Sequence, residues 1–226
     1  EQAAVFDVLQ VSNTFYIATN QGVMKSKGTS LNLSSASFTK VSGLEGQAWT
    51  LHYFNNRIVC SHDRGLFEII GNSSKRIGDA TGIWKVIPIR GRQDLFFACN
   101  YESIYLLSAS TDGFQFQQKL EGFNESSRDI LQGDEPGVFW ICHGYKGVFK
   151  IKVNESYTRV ISLEHFKGDH GLPSPFNINV FRWQRDIVFT TNAGIYTFDS
   201  KKSRFVEHQR LTSLFGRDKN VRKLLE

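Results

Sequence analysis

The side chains best placed to hold a small molecule lie together at residues 143–146, where His143, Gly144, Tyr145 and Lys146 read as a tight turn between two apolar runs. An imidazole, a phenol and an ammonium on one turn supply both donors and acceptors for a polar ligand. A solvated turn, with Tyr145 packed on its neighbour, would use the same residues. Arg128, at the head of the preceding strand, approaches the same region and offers a fork for a carboxylate; its structural alternative is a salt bridge to Asp129 or to a neighbouring blade. Trp49 and Trp84 open two successive strands at corresponding places, where repeat-equivalent aromatics usually pack between neighbouring units; stacking on a sugar would use the same apolar faces. Trp140 and Trp183, inside later strands, read as core.

Other constellations point away from chemistry. His165, Asp169 and His170 carry ligand-type atoms but sit in a Gly-containing loop without a spacing that would converge them, so no metal site is expected. There is no Cys-x-x-Cys pair, phosphate loop or dinucleotide fingerprint, and no cofactor is expected. The adjacent pairs His62-Asp63 and Asp134-Glu135 are ordinary turn residues, and no catalytic residue is assigned. Cys60, Cys99 and Cys142 fall at nearly equivalent strand positions of different units, too far apart for the Cα separation of roughly 4.4–6.8 Å that a disulfide needs. They read as small packing residues. The sequons at Asn32, Asn72, Asn124 and Asn154 follow from the frequency of Asn and Ser in turns.

These residues are positioned by a repeat. FYIATNQGVMKSK, RIVCSHDRGLFEII, DLFFACNYESIYLLS, VFWICHGYKGVFKIK and DIVFTTNAGIYTFD each run as strand, tight turn, strand. With Gly22, Gly65, Ser103, Gly147 and Gly194 as markers the intervals are 43, 38, 44 and 47 residues, the length of one four-stranded propeller blade. The glycines suit a turn at positive φ, and Ser103 departs from that pattern. The expected fold is therefore all-β, a β-propeller of four-stranded antiparallel blades, about five of them. The repeats run approximately over 3–46, 47–81, 82–125, 126–176 and 177–215. VRKLLE, residues 221–226, aligns with the first strand of a further blade, so the chain reads as a fragment.

Within a unit the strands are named A to D. The second unit places A at 49–54, a hairpin turn at Asn55-Asn56, B at 57–62, C from Gly65 and D at 74–78. The long connections GTSLNLSSASF, EGFNESS and HFKGDHGLPSPF are expected near the B–C turns, where a ligand would be sought. No helix of three turns is expected.

At 226 residues the chain can bury roughly 70–75% of its unfolded surface and needs no metal or disulfide. A net charge of +5 suits an anionic ligand, but no Lys/Arg block exceeds two residues, which argues against nucleic acid. No apolar run is long enough for a membrane span, and no signal peptide is present in these residues.

The hairpin pattern, best seen in FYIATNQGV and IVFTTNAGIYTFD, is similar to the two-component regulator propeller repeat. Residues 123–199, from FNESSRDILQGDEPGVFWICHGYKGVFKIKV to GLPSPFNINVFRWQRDIVFTTNAGIYTFD, resemble the propellers of triple-tyrosine-motif membrane regulators of Bacteroidetes type. That resemblance implies a periplasmic sensor followed by an immunoglobulin-like domain, a membrane helix and either a histidine kinase or a LuxR-type DNA-binding output. It also implies a small-molecule or glycan ligand, membrane attachment through segments outside this chain, and pairing as a homodimer through the parent protein. The alternatives from other classes are a stand-alone interaction scaffold and a propeller lyase or glycosidase.

Overall fold

The computed structural model describes residues 3–27, 37–222 and 224. The repeat folds as five four-stranded antiparallel sheets, each with its strands in sequence order, which makes the chain an all-β propeller of five blades. Blade 1 holds β1 (Val5–Val11), β2 (Thr14–Thr19), β3 (Gly22–Ser26) and β4 (Phe38–Lys40). Blade 2 holds β5 (Ala48–Phe54), β6 (Arg57–His62), β7 (Gly65–Ile70) and β8 (Ser73–Ile77). Blade 3 holds β9 (Lys85–Ile89), β10 (Arg92–Cys99), β11 (Ile104–Ser110) and β12 (Gly113–Lys119). Blade 4 holds β13 (Asp129–Gln132), β14 (Val138–His143), β15 (Gly147–Val153) and β16 (Val160–Phe166). Blade 5 holds β17 (Asn179–Trp183), β18 (Asp186–Thr191), β19 (Gly194–Asp199) and β20 (Arg204–Glu207), and is followed by a two-turn helix, α1 (Gln209–Phe215).

Burial explains the strand compositions. β14 is covered on both faces and reads as the unbroken run VFWICH, every residue of it buried. The outermost β16 is exposed at four of its seven positions and accepts Ser and Glu. By contacts the chain falls into two compact units, one holding blades 1 and 2 with much of blade 3, the other holding the remainder. Within the first, Ala18 and Val23 pack with Leu51, Cys60 and Phe67; within the second, Trp140, Cys142 and Val148 pack with Val180, Phe189 and Phe205.

Neighbouring A strands are tied by side chains that bond to the next strand's backbone. Asp7 accepts the Leu51 N–H (3.0 Å) and His52 Nε2 the Val86 N–H (3.3 Å) in the first unit. Asp129 accepts the Val180 N–H (3.0 Å) and Gln132 the Arg90 N–H (2.7 Å) in the second.

The B–C turns show why glycine recurs. Gly22, Gly65 and Gly147 have φ of 115°, 137° and 90°. A Cβ on them would strike the backbone carbonyls of Leu44, Ala80 and Phe166, where the chain leaves for the next blade. Ser103 solves the same problem differently: its buried hydroxyl donates to the Phe123 carbonyl (2.7 Å), so the oxygen that crowds glycine elsewhere becomes an acceptor. The opposite hairpin of blade 2 turns at Asn55 and Asn56, both at positive φ, as a two-residue turn between twisted strands requires.

Of residues 221–226, Val221, Arg222 and Leu224 are described, and none is in a strand. Even so, Val221 donates its N–H to the Thr191 carbonyl (3.0 Å) just as Ile83 donates to His62 (3.1 Å) where blade 3 begins. The connection at 28–36, most of GTSLNLSSASF and including Asn32, lies outside the described residues, as do Lys223, Leu225 and Glu226. Cys60, Cys99 and Cys142 are buried.

Candidate functional site

Two arrangements gather the residues singled out in the sequence, one in each compact unit. In the first unit Trp49 and Trp84 touch, their ring centroids 4.6 Å apart, and the contact extends into a row. Phe6 lies 5.1 Å from Trp49 at one end and Tyr101 lies 4.9 Å from Trp84 at the other. Phe6 and Tyr101 are exposed and the tryptophans half-buried, so the row presents an open aromatic edge.

Backbone irregularity builds this row. The register of β1 against β2 skips Phe6, and that of β5 against β6 skips Trp49; each is the extra residue of a β-bulge, which re-aims its side chain out of the regular alternation. Trp84 stands just ahead of β9 at the corresponding place, and Tyr101 reaches it from the third B–C turn. Tyr101 lies so close over Gly82 that any Cβ there would enter its ring. Among the described residues the buried indole N–H of Trp84 has no hydrogen-bond acceptor, and that of Trp49 has only the neighbouring Tyr101 phenol, outside good hydrogen-bond geometry. Burial raises the Tyr101 phenol pKa above its ordinary value; the nearby Asp63 charge adds to this and the Trp49 N–H opposes it. This edge offers stacking surface.

In the second unit the fourth B–C turn brings His143, Tyr145, Lys146 and Arg128 together. His143 is 2% exposed, and its Nδ1 accepts the Tyr145 N–H at 3.1 Å. This bond belongs to the repeat. His62 Nδ1 takes the Arg64 N–H, Thr19 Oγ1 the Gln21 N–H and Thr191 Oγ1 the Ala193 N–H, so a buried acceptor at the end of strand B closes the turn in four blades. Desolvation lowers the His143 pKa, with Glu125 pulling it up and Lys146 and His165 pushing it down; it is the neutral acceptor that the turn needs.

Lys146 Nζ meets Glu125 at 2.7 Å, and His143 Nε2 lies 3.6 Å from the same carboxylate. That hydrogen bond raises the Lys146 pKa. Arg128 donates to Asn177 Oδ1 (3.0 Å), while Asp129 accepts from the Ile130 and Val180 backbones, so the alternative Arg128–Asp129 bridge does not form. His165, stacked on Phe149 with centroids 4.0 Å apart, bonds to the Lys146 carbonyl (2.6 Å). Tyr145, 64% exposed, and Lys146 face water, while His143 is buried. Sequence reading placed these four side chains together but missed Glu125, Asn177 and His165; EGFNESS carries Glu125, His165 lies on β16 where HFKGDHGLPSPF begins, and Asn177 directly follows that stretch.

Neither arrangement sets a nucleophile against a base. Among the described residues no group of His, Cys, Asp and Glu gathers in a way that could hold a metal ion, and His170 pairs with Asp169 (2.8 Å). No helix among them is long and apolar enough to cross a membrane.

Comparison with known proteins bears on the fold. No family's sequence model and no curated protein matches the chain. Among solved structures it is similar to the extracellular domain of BT3049 from B. thetaiotaomicron, described as a hybrid two component system, with a TM-score of 0.66 and 17% identity over 89% of this chain. It is also similar to hydrazine synthase of Kuenenia stuttgartiensis (TM-score 0.58, 8% identity, 87% of this chain and 57% of that one). A functionally unknown protein from Desulfotomaculum acetoxidans gives a TM-score of 0.58 at 6% identity, over 90% of this chain and 68% of that one. The chain spans 29% of the length of the BT3049 domain.

Proposed function

We propose that this propeller is the ligand-sensing part of a membrane-spanning signal-transduction regulator, held in the periplasm, that binds its ligand and performs no chemistry itself. The observation that carries the reading is the likeness of 89% of the chain to the extracellular domain of a hybrid two component system. The aromatic row supports it from the residues upward. A polar small molecule or glycan lays an apolar face on the open edge formed by Phe6, Tyr101 and the half-buried rings of Trp49 and Trp84. Signalling then requires that the ligand favour one of two states of the regulator, since equal affinity for both shifts nothing. The output, kinase or DNA-binding module, lies in other segments of the parent protein.

The coding sequence on both sides tests this. An immunoglobulin-like domain, a run of about 20 apolar residues and an output module downstream are the expected result. A stop codon after one or two further blades overturns the reading and leaves a propeller that serves as an interaction scaffold.

A further inference from the structure

Within the second unit a cavity of about 280 Å³ opens between blades 4 and 5, at their A–B turns and away from the turn of His143. Its apolar wall is made by Trp140 and Phe198, centroids 5.1 Å apart. Its lining also includes Asp134 and Glu135 from one turn, Arg185 and Asp186 from the next, and Lys150 of β15. The size is at the small end of ligand cavities, which run to roughly 300–1,000 Å³. One molecule of modest size fits it.

Most of these charges are already committed. Asp134 pairs with Arg182 (2.8 Å) and Asp186 with His208 (3.1 Å). Lys150 lies 3.5 Å from Glu164, its ammonium 5.5 Å above Trp140 and 5.9 Å above Phe198. The side chains of Glu135 and Arg185 have no partner among the described residues, and they are not paired with each other. One cavity thus offers a carboxylate, a guanidinium and an aromatic wall, the complement of a small zwitterion with an apolar side group. The guanidinium fork suits a carboxylate, the Glu135 carboxylate suits an ammonium, and the rings suit an aliphatic or aromatic body.

We propose that this cavity binds a free α-amino acid with an apolar side chain, its carboxylate on Arg185, its ammonium on Glu135 and its side chain against Trp140 and Phe198. The site is separate from the aromatic row and does not depend on the signalling reading. Calorimetric titration with L-phenylalanine and L-leucine tests it, with N-acetyl-L-phenylalanine and L-phenylalaninamide as probes that each lack one charge. The expected result is binding of the free amino acids and at least a tenfold loss for each blocked form. Glu135→Gln should weaken the zwitterion to the level of the N-acetyl form, and Arg185→Gln to that of the amide. Both residues sit on exposed turns, so circular dichroism of the variants should match the parent. If neither amino acid binds at millimolar concentration, or if both variants bind with the parent's affinity, the proposal is overturned and the two side chains are solvated turn residues.

Discussion

The aromatic row of blades 1–3 and the polar turn of blade 4 were both legible as candidate sites, and they are built on opposite terms. Around the fourth turn, donors and acceptors answer one another: His143 closes the turn, Lys146 holds Glu125, and Arg128 holds Asn177. In the row, among the described residues, the buried Trp84 indole N–H has no acceptor and that of Trp49 has only the exposed Tyr101 phenol beside it. A ligand at the turn must displace internal bonds, whereas a ligand at the row would cover ring surface that is already exposed. Residue type alone does not mark a site; what matters is whether the neighbours have already satisfied it.

Acid should separate the two regions most. His52, which ties β5 to β9 in the first unit, has its pKa lowered to about 4 by burial, so the unfolded chain takes up its proton first. Its contribution is complete above about pH 6.5, is lost as the pH falls from there towards 4, and is level below, for a total of about 3 kcal/mol. Urea denaturation across that range shows this, and His52→Gln should flatten the profile. A profile unchanged by His52→Gln places the acid sensitivity at other histidines, such as His143.

Within the row, Trp84→Ala should cost about 2–3 kcal/mol, less than a fully buried tryptophan. Trp84→Phe should cost under about 1.5 kcal/mol, because it keeps a ring while removing a buried donor that has no acceptor. Equal loss in both variants, read by denaturant midpoints, would mean that the N–H is satisfied, and the contrast between the regions would fail.

At the turn, His143→Ala leaves the Tyr145 N–H without its acceptor and should cost about 2 kcal/mol. His143→Thr should recover at least half of that, since Thr19 and Thr191 make the same bond in blades 1 and 5. Should threonine prove no better than alanine, the imidazole is held there for Glu125 instead. The smallest effect is expected from Glu125→Gln. It should return the Lys146 pKa towards its ordinary value in an NMR titration, with no measurable change in stability, as befits an exposed pair.

The five blades were readable because strand, turn and glycine recur at one spacing, and the equivalence of Trp49 and Trp84 followed from it. Phe6 was not readable as their neighbour: a β-bulge adds one residue without changing composition, so nothing in VFDVLQV shows that its side chain is turned out of register. Glu125 precedes Lys146 by 21 residues, and only the folded connection brings them together. Asp134-Glu135 read as ordinary turn residues, yet their side chains differ: Asp134 pairs with Arg182, and the Glu135 carboxylate has no partner among the described residues, a distinction set by tertiary neighbours. The seven residues of α1 make too short a segment for helical periodicity to declare itself.

The three buried thiols, read above as packing, also give the molecule a set of clocks. Cys60, Cys99 and Cys142 lie on the B strands of blades 2, 3 and 4, one thiol to each. Only a thiolate reacts with an alkylating reagent, and burial pushes the Cys60 thiol far above its ordinary pKa. Each cysteine therefore reacts only when its own strand comes open. The labelling rates at the three positions report, blade by blade and in the unaltered protein, how often the sheet parts and which section parts first.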